Sequence, residues 1–323
     1  MKLNNIELTF ENFANEMAKL KNEKHFDYLV TIIGEDFGEE GLGCIYILEN
    51  TQNNERCSVR TIAKKVDGSD VIPTVTNLWK AADLLEREVF DFVGIKFLGH
   101  PDMRRLFLRT DFVGHPLRKD FDMSPEANKF PLTDEPEDDF TVEYSLDKDG
   151  HLVETKHRLF EEDEYVVNIG PNHPSTHGVL RLQTVIDGET VKRIYPHLGY
   201  IHRGIEKMWE GMTYPQTLAL TDRLNYLSAM MHRHALVGVI EEAMGIELSD
   251  RIRYIRTIMD ELQRIDSHLL FLGCTAQELG ALTAFLYCMR DREHVLNVME
   301  ETTGGRLIMN YYRIGGLQAD IDP

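Results

Sequence analysis

Two histidines, His173 and His177, stand four residues apart in IGPNHPSTHG (169–178), with a proline or glycine close to each. Pro171 and Pro174 each remove a backbone donor and fix φ, while Gly170 and Gly178 admit backbone angles that other residues avoid. The segment cannot be a helix, so this spacing is not the metal-binding face of HExxH, whose glutamate it also lacks. It predicts a rigid turn holding imidazoles at a fixed angle, either to cap backbone groups or to meet a ligand. Arg203, Arg223 and Tyr226 follow, the tyrosine on a predicted helix, and then Glu278 in an otherwise apolar helical stretch. A buried carboxylate is costly unless paired, and a histidine partner would fix the imidazole tautomer and raise its pKa. The alternative for Glu278 is a helix-terminal charge reaching water, and for Tyr226 a core aromatic.

A phenol and an imidazole together suit a flat, apolar substrate with carbonyl oxygens on opposite sides of its ring. A quinone is such a substrate. Its reduction takes two electrons and two protons, and groups with reference pKa values of about 10 and about 6.5 can deliver the protons at neutral pH.

These residues need elements to hold them. Residues 1–121 read as α/β: ENFANEMAKLKNEK has helical periodicity, and FDYLVTII, GCIYILEN and CSVRTIAKK read as strands, with TQNNE as a hairpin turn. SDVIPTVTNLWKAADLLEREVFDFVG opens with capping residues and a proline and reads as one amphipathic helix. HPDMRRLFLRTDFVGHPLRKDF (100–121) is locally basic, which suits contact with an acidic neighbour or a solvated loop. Residues 122–164 are acidic and poor in apolar residues, the signature of an extended linker. From 165 a second domain begins. VLRLQTVI and VKRIYPHLGY flank DGE as a hairpin. YPQTLALTDRLNYLSAMMHRHALVGVIEEAMG reads as one helix ending near Gly245. SDRIRYIRTIMDELQRIDSHLLFLG, with Ser249 as N-cap, and ALTAFLYCMRDREHVLNVMEETTG read as further helices, long and apolar enough to pack as a bundle. The fold class expected is α+β.

Composition bounds the function. At 323 residues two domains are expected. A net charge of −19 argues against a nucleic-acid partner and against direct adhesion to anionic lipid. MKLNNIELTFENF has no signal-peptide core, and no apolar run reaches the roughly 18 residues of a membrane span. The reading is a soluble, cytoplasmic chain that meets the membrane only through partners. Cys44, Cys57, Cys274 and Cys288 are scattered without a CxxC pair, so no iron–sulfur cluster or other metal site is expected in this chain alone. Neither GxGxxG nor a P-loop is present.

NIGPNHPSTHGVLRL, PHLGYIHRGIEKMWEGMTYPQ and DRLNYLSAMMH closely resemble the hydrogenase-like D subunit of respiratory complex I, and EREVFDFVGIKFLGHPDMRRLFL resembles the signature of its C subunit. Their order resembles the bacterial fused C/D subunits of NADH–quinone oxidoreductase. The resemblance implies a docking domain at 1–121, an acidic linker at 122–164, and at 165–323 the first part of a helical domain of the nickel–iron hydrogenase large-subunit type. It also implies a quinone headgroup held between His177 and Tyr226, with Glu278 in place of the aspartate that pairs the histidine in the family, one methylene longer. Arg203 and Arg223 would lie near the terminal iron–sulfur cluster of a neighbouring subunit, favouring its reduced form. Ile308, in GGRLIMNYYRIGG, would occupy the position of a histidine that many relatives carry beside that cluster.

The partners implied are a cluster-bearing B-type subunit, a ferredoxin-like I-type subunit and a membrane H-type subunit, at the cytoplasmic face of the bacterial inner membrane. Electrons would come from NADH bound elsewhere in a proton-translocating complex, and the isolated chain would be inactive. The family's D subunit also continues beyond a segment like GGLQADIDP, so more chain is expected, here or on a separate polypeptide. A nickel–iron hydrogenase subunit is the competing enzyme reading. It needs an RxCxxC pair at the start of the helical domain, where RLNYLS (223–228) has no cysteine. A purely scaffolding role is the non-enzymatic alternative, and it fits residues 1–121 best.

Overall fold

The computed structural model describes residues 4–124, 139–161 and 163–321. Helix and sheet are mixed, in the α+β manner expected. The chain packs as two compact units, Met1–Arg203 and Gly204–Pro323, whereas composition places the start of the second domain near residue 165.

In the first unit, β1 (Asn4–Leu8), β2 (Tyr28–Asp36), β3 (Leu42–Asn50) and β4 (Glu55–Ile62) form a sheet of order β1-β4-β3-β2, with α1 (Phe10–Asn22) between the first two in sequence. The predicted hairpin is β3–β4, and its register sets Cys44 opposite Thr61 and Cys57 opposite Leu48. Both cysteines are buried and free, which rules out a bridge across the hairpin. Alternate residues of β3 face a core with Phe13 and Met17 of α1.

A second sheet, of order β5-β6-β7-β8-β9, contains β5 (Lys64–Val66), β6 (Ser69–Pro73), β7 (Lys96–Leu98), β8 (Phe140–Leu146) and β9 (Leu152–Arg158). Two sequence readings are corrected here. Residues 69–73 are a strand and not the start of a helix, because Val71 and Ile72 are buried beside β7. The helix, α2 (Ala82–Val93), starts nine residues later and ends on Gly94 in the left-handed region. Its Glu86 carboxyl accepts from Val75 N at 2.8 Å and from Thr74 Oγ1 at 2.6 Å, fixing the strand-to-helix connection.

The stretch read as an extended acidic linker contains the antiparallel pair β8–β9, whose Tyr144 is buried against the core of this unit. Val142 and Leu152 pack with Tyr144 against that core and outweigh the acidic residues. Residues 125–138 of that stretch lie outside the described residues. A third, antiparallel sheet follows: β10 (Tyr165–Ile169), β11 (Arg181–Asp187) and β12 (Thr190–His197), with the predicted hairpin between the last two.

The basic segment 100–121 has no regular element, and three of its arginines pair with carboxylates of this chain. His100 is fully buried, accepting from Asp102 N and bonding Asp83 O, each at 3.0 Å. Arg104 grips Asp102, Arg105 pairs with Asp91 at 2.8 Å and Arg109 with Asp111 at 2.8 Å. Asp91 also accepts the backbone N–H groups of Leu106, Phe107 and Leu108. Arg105, on Asp91, and Arg118, on Val93 O, hold this irregular segment to α2, while Arg104 and Arg109 pair within it.

The second unit comprises α3 (Ile205–Glu210), α4 (Tyr214–Thr221), α5 (Ala229–Met244), α6 (Asp250–Glu278), α7 (Leu282–Thr303) and a short pair β13 (Tyr312–Arg313) and β14 (Gly316–Leu317). The single helix expected over 214–245 is broken at 222–228. Asn225 adopts an extended conformation there and its side chain accepts from Leu227 N, opening a 3₁₀ turn at Tyr226–Ser228. Ser249 caps α6 as expected. Helices α6 and α7 fold back on one another, and Gly273 lets them approach closely: a Cβ there would lie 3.1 Å from Cys288 Cβ.

The core includes Met230, Val237, Met259, Met299, Met309, Tyr311 and Tyr312. Through it run two fully buried arginines. Arg256 is bidentate on Glu241 at 2.8 and 2.9 Å and donates to the carbonyls of Arg313 and Gly316. Arg233 pairs with Asp222. Both tie the segment after α7 back onto the helices. Helix α7 is less buried than a bundle core helix would be, with Leu296 and Met299 as its buried residues.

Candidate functional site

The HPSTHG segment forms a closed turn and no helix of regular length, as its composition predicts. Pro174–Thr176 form a 3₁₀ turn, closed by a β-bridge between Asn172 and Val179. Thr176 Oγ1 lies 2.8 Å from His173 O and 2.9 Å from Gly178 O, spanning the turn. Gly170, at φ +86°, passes so close to Leu180 O that a Cβ would fall 1.9 Å from it, so no other residue fits. The two histidines have different tasks. His173 is the N-cap, its Nδ1 accepting from Ser175 N at 3.3 Å and lying 2.7 Å from Ser175 Oγ. His177 follows the turn in the left-handed region, at φ +49°, a conformation uncommon outside glycine. Its side chain is exposed. His173 thus caps the turn, and His177 lies exposed at its end.

Tyr226 sits on the 3₁₀ turn ahead of α5, 52% exposed, so it is neither on a regular helix nor a core aromatic. Arg223 is exposed on the break before it and donates to Ala219 O. Arg203 is exposed at the end of the first unit. The residue before it, His202, is fixed by stacking on Phe92 with centroids 5.1 Å apart.

Glu278 is the last residue of α6 and is exposed. Of the two readings of Glu278, its place at the helix end and its exposure in this chain favour the helix-terminal carboxylate. Ile308 is half-buried in the segment after α7. Two residues on, Asn310 N donates to Asp222 Oδ2 at 2.8 Å, so the Asp222–Arg223 stretch and the Ile308 segment are held together.

Sequence reasoning missed three features. The first is a buried polar group beneath the Tyr226 turn: Gln263 donates to Leu227 O at 3.2 Å and to Asp266 Oδ2 at 3.1 Å, and Arg292 Nε stands 2.8 Å from Asp266 Oδ1. Burial pushes the Asp266 carboxyl up, with Arg292 and Gln263 opposing it. Its only sequence signal is a polar spacing of three along α6. The second is His234, whose Nδ1 lies 2.5 Å from Asp260 Oδ2, while Tyr312 OH donates to Asp260 Oδ1 at 2.8 Å. Asp260 thereby fixes the imidazole orientation. Burial pushes the Tyr312 phenol far above its ordinary value, with the Asp260 charge adding to it.

The third is a cleft of about 340 Å³ within the first unit, lined by Arg87, Arg104, Arg105, Arg109, His197 and Tyr200 among others. Burial pushes His197 down to about 4, assisted by the nearby Arg181, Arg104 and Arg87. Among the described residues no group of three or more His, Cys, Asp and Glu side chains is placed to hold a metal ion, and no helix is long and apolar enough to cross a membrane.

Known proteins resemble this chain along nearly all of it. The family model described as the respiratory-chain NADH dehydrogenase 30 Kd subunit matches residues 6–127, and that of the 49 Kd subunit matches residues 278–323. The NADH-quinone oxidoreductase C/D subunit of Phocaeicola vulgatus is 55% identical over 98% of this chain and 61% of its own length. That of Bacteroides thetaiotaomicron is 54% identical over 96% of this chain and 60% of its own length. A C/D subunit of Aquifex aeolicus is 40% identical over 96% of this chain and 55% of its own length. The chain therefore spans about three fifths of the length of these first two relatives. With a 30 Kd match ahead of a 49 Kd match on one polypeptide, and 55% identity over 98% of this chain to a protein named as a C/D subunit, the chain belongs to the family of fused C/D subunits of NADH-quinone oxidoreductase.

Proposed function

We propose that this chain forms the quinone-headgroup site of a proton-translocating NADH:quinone oxidoreductase, beside the terminal iron–sulfur cluster of a neighbouring B-type subunit. Quinone is the substrate. The neighbouring cluster supplies the electrons, which derive from NADH bound on other subunits. This chain supplies the protons and the geometry. The His177 imidazole and the Tyr226 phenol each hydrogen-bond one carbonyl oxygen of the ring and each donates a proton as that oxygen gains charge. Glu278 faces the histidine in the assembled complex and favours its protonated form. Arg203 and Arg223 place positive charge near the cluster and favour its reduced state.

The observation that carries this reading is the exposure of Tyr226. A tyrosine on a tight turn, 52% exposed, with its turn anchored from below, is available to a ligand as a core tyrosine is not. The presentation of His177 on a closed turn is consistent with it. The first 121 residues act as the docking domain and carry no constellation of their own for chemistry. Large exposed apolar side chains on α6 and α7, among them Phe271, Leu272 and Tyr287, suit burial against further protein. The I-type and membrane H-type subunits are the other partners on this reading, and the chain lies at the cytoplasmic face of the bacterial inner membrane through them.

The test uses native membranes carrying Tyr226→Phe in the full complex. Quinone reduction is expected to fall by about 10²-fold or more, with reduction of an artificial acceptor upstream of the quinone unchanged. Wild-type rates in both assays would remove Tyr226 from the site.

A further inference from the structure

The turn that carries Tyr226 is held from inside the second unit. Leu227, next to Tyr226, points its carbonyl at α6, where Gln263 Nε2 donates to it at 3.2 Å. The other proton of that amide goes to Asp266 Oδ2 at 3.1 Å. Asp266 is ion-paired across the helix pair with Arg292 of α7, whose Nη2 donates to Oδ2 at 3.3 Å while Nε lies 2.8 Å from Oδ1 without hydrogen-bond geometry. Gln263 and Asp266 are each 1% exposed. Both amide protons are committed, so the side chain has one orientation available. The Gln263 Oε1 atom is buried without a hydrogen-bond partner. A buried polar group with an unmet acceptor is costly, and that cost is borne here by an amide whose protons go to Leu227 O and Asp266 Oδ2. The arrangement is therefore one that packing alone does not favour, and it ends on the single turn where Tyr226 is exposed.

We propose that Gln263 is a positioning residue for Tyr226: Arg292 fixes Asp266, Asp266 orients the Gln263 amide, and the amide sets the 226–228 turn from which the phenol projects. This rests on the reading of Tyr226 as a proton donor to quinone. Displacement of a reacting group by about 1 Å can cost up to about 10²-fold in rate. The amide acts through the turn and touches neither the quinone nor the transferred proton.

The experiment is a double-mutant cycle in the full complex in native membranes, with Gln263→Met, Tyr226→Phe and the pair, assayed for quinone reduction and for an upstream artificial acceptor. Gln263→Met is expected to lower kcat for quinone by about tenfold or more with the upstream activity intact. In the Tyr226→Phe background it is expected to cause no further loss, because its effect passes through the phenol. Independent, multiplying losses would overturn the proposal, as would wild-type kcat for Gln263→Met alongside an impaired Tyr226→Phe. If Tyr226→Phe itself reduces quinone normally, the site reading fails and the inference falls with it, an outcome distinct from the other two. Should the methionine variant fail to assemble, Gln263→Asn carries the test. It keeps an amide in the core but withdraws it from Leu227 by one methylene, and the same non-additivity is expected.

Discussion

Asp222 takes the Nε proton of Arg233 at 2.7 Å, and the two side chains keep 2% and 1% of their exposure. The guanidinium also donates to Leu218 O, to Asn310 Oδ1 and, at 3.2 Å, to Tyr312 O. The second Asp222 oxygen accepts Asn310 N. One buried pair thus joins α4, α5 and the segment after α7, the three pieces from which Arg223, Tyr226 and Ile308 are presented.

Breaking that pair on one side should be costly, because the remaining charge is left buried. Arg233→Met is expected to cost the second unit about 3–5 kcal/mol, and adding Asp222→Asn should recover part of it. The chain has two tryptophans, Trp79 and Trp209, one in each unit. Urea unfolding followed by Trp209 fluorescence in a Trp79→Phe background reads the second unit alone. An unchanged midpoint would show that the pair contributes nothing net.

Glu86 gives the first unit a pH dependence of definite sign. Burial pushes its carboxyl from 4.5 up to about 8, against the hydrogen bonds from Thr74 and Val75. The folded state therefore binds the proton more tightly than the unfolded chain. This group's contribution is fully present below pH 4.5 and is lost as pH rises through about 8. Glu86→Gln keeps an acceptor for Val75 N and a donor for Thr74 Oγ1. Across that window the variant should gain on wild type by about 1.4 kcal/mol per pH unit, read by Trp79 fluorescence in urea. A difference independent of pH would mean that Glu86 is ionised in the fold.

Much of this was legible in the chain, and the misses share a cause. The β3–β4 and β11–β12 hairpins are announced by alternation around TQNNE and DGE, and Ser249 announces α6. Capping residues and a proline misplace the start of α2, because Ser69, Asp70 and Pro73 belong to the strand β6. The β8–β9 hairpin hides behind acidic neighbours, although Val142, Tyr144 and Leu146 alternate and DKDG is a turn. Local composition cannot show that a distant β7 will accept β8 at its edge. The HPSTHG turn was readable because prolines and glycines act locally. The Gln263–Asp266–Arg292 group was not, since its meaning depends on two helices and a turn meeting, and the helical spacing of polar residues ordinarily marks a solvated face.

Gly199 offers a third test, in the HLGY segment that lines the arginine-rich cleft. At φ +94° a Cβ there would lie 2.0 Å from Phe107 O, which cannot move without disturbing the Asp91 contacts to Leu106, Phe107 and Leu108. Gly199→Ala is expected to cost about 2 kcal/mol or more and to raise protease sensitivity around 99–121. Unaltered proteolysis and unfolding would mean that the two segments separate freely.

Ile308 makes the last prediction, which concerns the neighbouring cluster. It sits half-buried in a segment clamped through Asn310 to Asp222, so a side chain at 308 has a fixed place. An aliphatic residue there carries no proton to exchange when the cluster is reduced. With the proposed position of Ile308 beside that cluster, the wild-type midpoint potential should be low and nearly independent of pH. In Ile308→His an imidazolium would favour the reduced cluster, raising the potential at acidic pH, and the coupling should approach about 59 mV per pH unit at most. Redox titration of the cluster signal in membranes at two pH values, for wild type and Ile308→His, checks both halves. A strong pH shift in the wild type would show that another group titrates with the cluster, and equal potentials in the two proteins would place residue 308 away from it.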